Sequence, residues 1–425
     1  MSPRVRFLTA AWWVRLLGRN AFLVVAIAPA IGFGWLLTLA PAVQSGSAFV
    51  EATPWIRSLA VSLSFHVGLL QWLLALLVTG IGVVVLAYCR WYFTNPPART
   101  LGLLVAFAGA MLGLVTADDL VVLYVFWELT TVFSYLMIGH DSSRRANRAA
   151  ATTALIVTTT GGLAMLVGIV TFGTLTGTFR LQAILAAAPE GPAPTAAALL
   201  MLVGAMSKSA LAPFHFWLPG AMAAPTPISA YLHAATMVKA GVYLVAALAP
   251  VFAGVLFWRE TLTILGATTM ILGGWRSLRQ TDLKLLLAYG TVSQLGFVTM
   301  LVGIGTQAAG QAGLAMLLAH ALFKAALFLT VGVVDVTTGT RDITKLTGLA
   351  RRMPLLAVAS GLAAASMAGL PPLFGFVAKE AALDALVKVA SGGDGTGMLP
   401  APALLLAGAI VVGSMLTAAY SLRFW

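Results

Sequence analysis

Lys208 in MSKSALAPFHFWLPG, Lys239 in HAATMVKAGVY, Lys324 in LLAHALFKAALFLTVG and Lys379 in LPPLFGFVAKE lie in apolar surroundings. Glu128 is the only charge in VVLYVFWELTTVFSYLMIG. A lysine near a bilayer centre costs about 2.5–3.5 kcal/mol on insertion scales, so it needs a functional reason. Desolvation favours the neutral form of a lysine, and a nearby carboxylate favours the charged form. A lysine whose acidic partner moves can therefore load and release a proton. Lys208 is the natural partner of Glu128, because intramembrane charges usually pair. His320 and Lys324 stand at i,i+4 and share a helix face. Lys239 follows His233 by a spacing that turns the two to different faces of a regular helix. Lys379 and Glu380 are adjacent and diverge; Lys379 is the conducting candidate, and Glu380 a modulator or exit acid. Lys284 reads equally as a path residue and as a positively charged anchor at a helix start. Asp118, Asp119, Arg180, Glu190, Arg259 and Glu260 fall at span ends or in loops, where a solvated or interfacial role is expected.

The elements that hold these groups follow from composition. The chain has 425 residues, 60% hydrophobic and 9% charged, with mean hydropathy +0.97. Soluble domains are about 25% charged. Long apolar runs recur throughout, so the class is an all-α polytopic membrane protein. The spans fall near 21–40, 69–89, 99–116, 120–139, 149–173, 194–218, 228–250, 258–275, 283–304, 311–334, 354–370, 373–390 and 402–425. That makes about thirteen helices for a core of about 30 Å. The outer stretch Pro41 to Leu69 contains SLAVSLSF, whose alternation predicts a small hairpin. The net charge of +12 comes from basic loops, as the positive-inside rule requires, and does not indicate nucleic acid. With the N-terminus in the cytoplasm, RRANR (Arg144 to Arg148), RSLRQTDLK (Arg276 to Lys284), Arg341, Lys345, Arg351 and Arg352 all fall on one side. The single Cys89 excludes an internal disulfide and a cysteine-built metal site. Nucleotide, Walker and zinc-protease motifs are absent, so no catalytic residues, cofactor or metal are expected.

Proline and glycine break two spans, SALAPFHFWLPGAMAAPTP after Lys208 and AGLPPLFGFVAKE before Lys379. Pro213 and Pro371 sit at these breaks, with His215 beside the first. Irregular backbone at membrane depth is tolerated only inside protein or beside an aqueous cavity. Interrupted segments at matching places in two halves point to an inverted-repeat transporter. The expected organisation is N-terminal helices and an outer loop over 1–98, a first half over 99–250 and a second over 251–425.

FWELTTVFSYLMIG, SKSALAPFHFWLP, PTPISAYLHAATMVKAG, DLKLLLAYGTVSQLG, HALFKAALFLTVG and GLPPLFGFVAKE resemble the antiporter-like subunits of respiratory complex I and of Mrp cation/proton antiporters. The likeness runs from about Ala21 to Trp425 and is greatest to the large A-type subunit of Mrp antiporters. Lys239 and the segment VDVTTGTRDITKLTGL favour that type. The resemblance implies two inverted five-helix repeats with two broken helices. It also implies a Glu128–Lys208 pair, a bridging Lys239, a central Lys324, a terminal Lys379, and motif histidines at His215, His233 and His320. Met1 to Asn20 stands where the family has a further helix. His66-Val67-Gly68-Leu69-Leu70 replaces an acidic D-G-L-S-like motif. The A-type subunit usually continues far past the position of Trp425, which would make this chain a fragment.

The leading expectation is a proton-translocating subunit of a multisubunit Na⁺(cation)/H⁺ antiporter. It would sit in a bacterial inner membrane with other antiporter subunits as partners. The alternatives are a proton-pumping subunit of a complex I-like dehydrogenase or membrane hydrogenase, and a non-conducting scaffold.

Overall fold

The computed structural model describes residues 8–95, 97–255, 257–392 and 398–425. Arg4 and Arg6 of the amino-terminal piece lie outside them. The long elements are α1 (Leu8–Leu17), α2 (Ala21–Thr38), the hairpin β1 (Phe49–Ile56) and β2 (Val61–Val67), α3 (Leu69–Tyr92), α4 (Ala98–Thr116), α5 (Leu120–Ile138), α6 (Arg145–Thr176), α7 (Pro192–Lys208), α8 (Lys239–Phe252), α9 (Trp258–Leu278), α10 (Leu283–Ile304), α11 (Gln307–Thr338), α12 (Pro354–Ala368), α13 (Phe374–Ala390) and α14 (Pro400–Phe424). Among the described residues, nine helices are long and apolar enough to cross a bilayer. The short α7, α12 and α13 are the parts of broken spans. The hairpin is antiparallel, with Phe49 opposite Val67 and a left-handed Ala60 at its tip.

Stretches 119–252 and 282–424 are built alike. Asp119 caps α5, accepting from the amides of Val121 and Val122 at 2.9 and 3.3 Å. Asp282 caps α10 in the same way, from Lys284 and Leu285 at 2.7 and 3.1 Å. Such caps satisfy backbone donors that a helix start leaves free. Each capped helix leads to a 32-residue helix, α6 or α11. Each long helix stops at a left-handed glycine, Gly177 or Gly339. The chain then returns to the cap by a clasp. Leu120 N donates to Phe179 O and Leu181 N to Asp118 O; Leu283 N donates to Arg341 O and Ile343 N to Thr281 O. Three crossings, the broken α7 span, the segment Thr226–Phe252 and α9, separate the two clasps, so they lie on opposite faces of the bundle. One is the hairpin face. The other carries Arg144, Arg276, Arg341 and Arg352 and is called here the arginine face.

The two breaks also match. Ala210 (φ 51°) ends α7 and Gly369 (φ 85°) ends α12 in the left-handed region. Leu211 N returns to Met206 O and Leu370 N to Ala365 O, both at 3.0 Å. This is the Schellman closure of a helix C-terminus. Pro213 and Pro371 follow, and a proline cannot continue the helical hydrogen-bond ladder.

Burial ranks the helices. The apolar windows of α10 and of the segment Thr226–Phe252 are 89% and 83% buried, against 28% for α14. The interior is thus built on α10, α11 and the segment leading into α8. Leu404, Leu405 and Met415 of α14 point outward, as lipid- or subunit-facing residues do.

The expectation of an interfacial Asp118 and Asp119 is corrected, while Arg180 stays part-exposed, as expected. Asp118 and Asp119 are 1% and 0% exposed. Asp118 accepts from Arg180 Nε at 3.0 Å, Ser64 Oγ at 3.1 Å and Gln182 N at 3.0 Å. Asp119 also accepts from Ser62 N at 2.9 Å. A buried carboxylate with several donors is a structural rivet, and this pair fastens the hairpin onto α5. Glu190 and Glu260 are exposed, while Arg259 Nε donates to Ile304 O at 3.1 Å.

Candidate functional site

Lys208 ends α7 and is fully buried. Its ammonium donates to Trp127 O and to Thr131 Oγ1, both at 2.7 Å, and lies 4.9 Å from the centroid of the Trp127 ring. Glu128 feels the charge of Lys208, yet among the described residues the two form no ion pair. The expected contact pair is therefore a pair at a distance. One carboxylate oxygen of Glu128 is buried without a hydrogen-bond partner. It packs on Gly162 of α6, where a Cβ would collide with it. The adjacent Gly161 leaves the same kind of space for Ser207. This glycine pair lets α5 and α7 approach α6 where the two charges sit.

Lys239 opens α8 just after a helical irregularity. Tyr231–Ala235 forms a π-helical turn, and Thr236 leaves the helix. Of the carbonyls there, Tyr231 O accepts from Thr236 Oγ1 at 2.7 Å, and Ala234 O accepts from the Lys239 ammonium. It also meets His320 Nδ1 of α11 at 3.4 Å. Ser209, next to Lys208, donates to Val238 O, next to Lys239, at 2.7 Å. The first two lysines thus flank one interhelical hydrogen bond. His233 lies within the π turn, and both its ring nitrogens are buried without partners. It feels the charges of both Lys239 and Lys284. The π turn and the break after it make the regular-helix argument about faces inapplicable to His233 and Lys239.

Lys324 donates to Leu287 O at 2.9 Å and feels Lys239. Lys284 resolves in favour of the interior. It is 1% exposed and donates to Met222 O at 2.9 Å and to Ala224 O, beside the first break. A positively charged surface anchor would reach solvent, so that reading is set aside. Lys379 donates to Met367 O at 3.3 Å and Ala368 O at 2.8 Å. It caps the C-terminal carbonyls of α12, the negative end of that helix dipole. Glu380 points outward, as does the neighbouring Asp384–Lys388 pair at 2.7 Å.

Lys208, Lys239, His320, Lys324, His233 and Lys284 thus share one buried region. Lys379 stands at the second break, without a direct contact to that group among the described residues. His215 is only part-buried in a 3₁₀ turn and feels Arg276 of α9 rather than the lysines. Pro213 and Pro371 are exposed at their breaks. Among the described residues, none of Lys208, Lys239, Lys284, Lys324 and Lys379 makes an ion pair; backbone carbonyls hold all five ammonium groups. An ammonium held by neutral dipoles can lose its proton without stranding a buried carboxylate, and it can accept one again. Sequence reading missed Thr131 and Ser209. Thr131 alone left a signal, one turn beyond Glu128 on the same helix.

The family described as "NADH:quinone oxidoreductase/Mrp antiporter, TM" matches residues 117–392. The chain is 43% identical over 347 residues to the A/B-type subunit of a probable K(+)/H(+) antiporter of Rhizobium meliloti, covering 80% of this chain and 35% of that protein. It is 42% identical over 386 residues to the A-type subunit of the Na(+)/H(+) antiporter of Alkalihalophilus pseudofirmus, covering 86% and 48%. A chain of the Mrp complex from a Dietzia species superposes with TM-score 0.90 at 39% identity, covering 98% of this chain and 45% of that one. A chain of an archaeal membrane-bound sulfane sulfur reductase shares the fold, with TM-score 0.84 at 23% identity. The chain spans about half the length, or less, of the curated relatives it matches.

Proposed function

Because the chain belongs to the NADH:quinone oxidoreductase/Mrp antiporter family of transmembrane subunits, we propose that it forms the proton-translocating part of an A-type subunit in a multisubunit cation/proton antiporter. The observation that carries this reading is the 3.4 Å contact between Lys239 Nζ and His320 Nδ1, with neither residue paired to an acid among the described residues. An ammonium at Lys239 donates to a neutral imidazole; after transfer, a neutral amine faces an imidazolium. Lys324 lies one turn beyond His320 on the same helix face. Lys208 is joined to Lys239 through the Ser209–Val238 hydrogen bond.

The proposed path runs from Glu128 and Lys208 through His233, Lys239, His320 and Lys324 toward Lys379, with Lys284 as a further buried charge. Residues 99–250 and 251–425 act as its two halves, related by the inversion that their opposed clasps suggest. The exchanged ion is a monovalent cation; the relatives' names include both Na⁺ and K⁺. Other antiporter subunits are the partners, in a bacterial plasma membrane, with the arginine face and the N-terminus in the cytoplasm.

Lys239→Met, placed in the complete antiporter and reconstituted into proteoliposomes, is expected to abolish cation-dependent proton movement. Its membrane level should equal or exceed wild type, because removing a buried lysine lowers the insertion cost. Full exchange by that variant would sink the proposed path.

A further inference from the structure

The second break leaves two carbonyls without their helical donors. In a helix each carbonyl accepts from the amide four residues on. For Met367 O and Ala368 O those positions are Pro371 and Pro372, and a proline has no amide hydrogen. The nearer amides are used elsewhere: Gly369 N donates to Ala365 O and Ser366 O, and Leu370 N to Ala365 O. Both carbonyls lie at the carboxyl end of α12, the negative pole of its dipole. The Lys379 ammonium fills them, 3.3 Å from Met367 O and 2.8 Å from Ala368 O. Gly369 admits it, since a Cβ there would stand 2.8 Å from Lys379 Cδ and 3.1 Å from Nζ.

The first break has the same turn but ends differently. A single proline follows it, and a neutral group meets the end of α7: Ser207 O accepts from Trp217 Nε1 at 2.9 Å. At the second break the donor is a monovalent cation on a tether. In transporters built on broken helices, unwound carbonyls and helix carboxyl ends are the groups that hold the transported cation. The residues facing Lys379 bring no competing acid. α12 carries no charged residue. The other helices packed against α13 carry His320, Lys324 and Asp335 on α11, and Tyr420 and Arg423 on α14. Among the described residues none of these pairs or hydrogen-bonds with Lys379, and Glu380 on its own helix points outward.

We infer that Met367 O and Ala368 O belong to a binding site for a monovalent alkali cation, which the Lys379 ammonium and the ion occupy in turn. When Lys379 gives up its proton, the amine is neutral and the two carbonyls lose their cation. A Na⁺ or K⁺ ion then takes the same place, so the site holds one positive charge before and after. Return of the proton to the amine restores the ammonium, which expels the ion. One proton therefore displaces one cation here, and no carboxylate is needed. This inference rests on the proposed proton path and adds the place where the exchanged cation meets it.

The test is equilibrium binding of radioactive Na⁺, and of Rb⁺ in place of K⁺, to the purified complete antiporter as a function of pH. One competing proton makes the wild-type affinity rise with pH, by up to about tenfold per unit. Lys379→Gln removes the competitor. It should lose proton-coupled exchange yet bind the ion at every pH with the alkaline affinity of wild type, so that the slope disappears. Lys379→Met takes its place if that variant does not assemble. Lys379→Arg keeps a permanent cation beside the carbonyls and should bind at every pH as weakly as acid wild type. A wild type without slope, a Lys379→Gln that keeps the greater part of the wild-type slope, or binding by Lys379→Gln no stronger than by Lys379→Arg overturns the site. Failure of the two readings is separable. A wild-type antiporter that exchanges no cation for protons sinks the proton path itself, whereas active exchange with an unaltered slope in Lys379→Gln rejects the cation site alone.

Discussion

Thr131 should matter to this protein only through Lys208. Its hydroxyl accepts from the Lys208 ammonium at 2.7 Å and donates to Trp127 O at 3.2 Å, the same carbonyl that Lys208 uses. Thr131→Val keeps the shape of the side chain and removes one of two acceptors from a buried cation. A hydrogen bond to a charged group contributes about 1.5–3 kcal/mol, so the substitution should destabilise by about that much. In a Lys208→Met background the cation is gone and the same change should cost almost nothing. The coupling energy of the double-mutant cycle should then be about 1.5–3 kcal/mol. Glu128→Gln in the same cycle tests the longer-range term. Because the two charges are not in contact, the attraction at an effective dielectric of about 20 stays below about 4 kcal/mol. The assay is reversible unfolding in mixed micelles with rising SDS, read by tryptophan fluorescence. Equal costs of Thr131→Val in both backgrounds, within about 0.5 kcal/mol, would refute the reasoning, because the hydroxyl would then be acting on something other than the ammonium.

Two further expectations concern parts outside the spans. His66, on the hairpin, has its pKa lowered from the ordinary value by burial, which outweighs the raising effect of Asp118; Arg180 lowers it further. The folded protein therefore binds fewer protons at His66 than the unfolded chain. Its contribution to stability is complete above the ordinary histidine pKa of about 6.5 and is lost as pH falls through that value toward the folded one. Protection of the hairpin from proteolysis should decline over that window, and His66→Asn should flatten the decline; an unchanged pH profile in the variant would assign the effect elsewhere. Single cysteines at Ser143 and Thr344 in a Cys89→Ala background should resist an impermeant reagent applied outside intact cells, and ready labelling at either site would reverse the proposed orientation.

Hydropathy alone located nearly every span, because a bilayer requires long apolar helices with their backbone groups satisfied internally. Lys208, Lys239, Lys324 and Lys379 stood out for the same reason, since a charge in such a run needs an explanation. Both breaks were visible through Pro213 and Pro371, and the hairpin through its alternation. What each lysine touches was not visible. Lys239 meets His320 across 81 residues of chain, and Lys208 meets Trp127 O across 81. The acceptors are mostly backbone carbonyls, which every residue carries and no sequence marks. A carboxylate partner for Lys208 was the natural expectation from residue types; the fold instead turned Glu128 against Gly162 and used Trp127 O and Thr131. Lys284 could equally be a path residue or a surface anchor because it begins a helix, and only the packing of the first break over that helix start made it interior. Asp118 and Asp119 looked interfacial at a span end, and only the folding back of β2 and Arg180 buried them. Local periodicity determines where a helix runs and which of its faces are apolar. Which neighbour a polar group finds is settled by contacts between residues distant in the chain, so tertiary structure alone decided it.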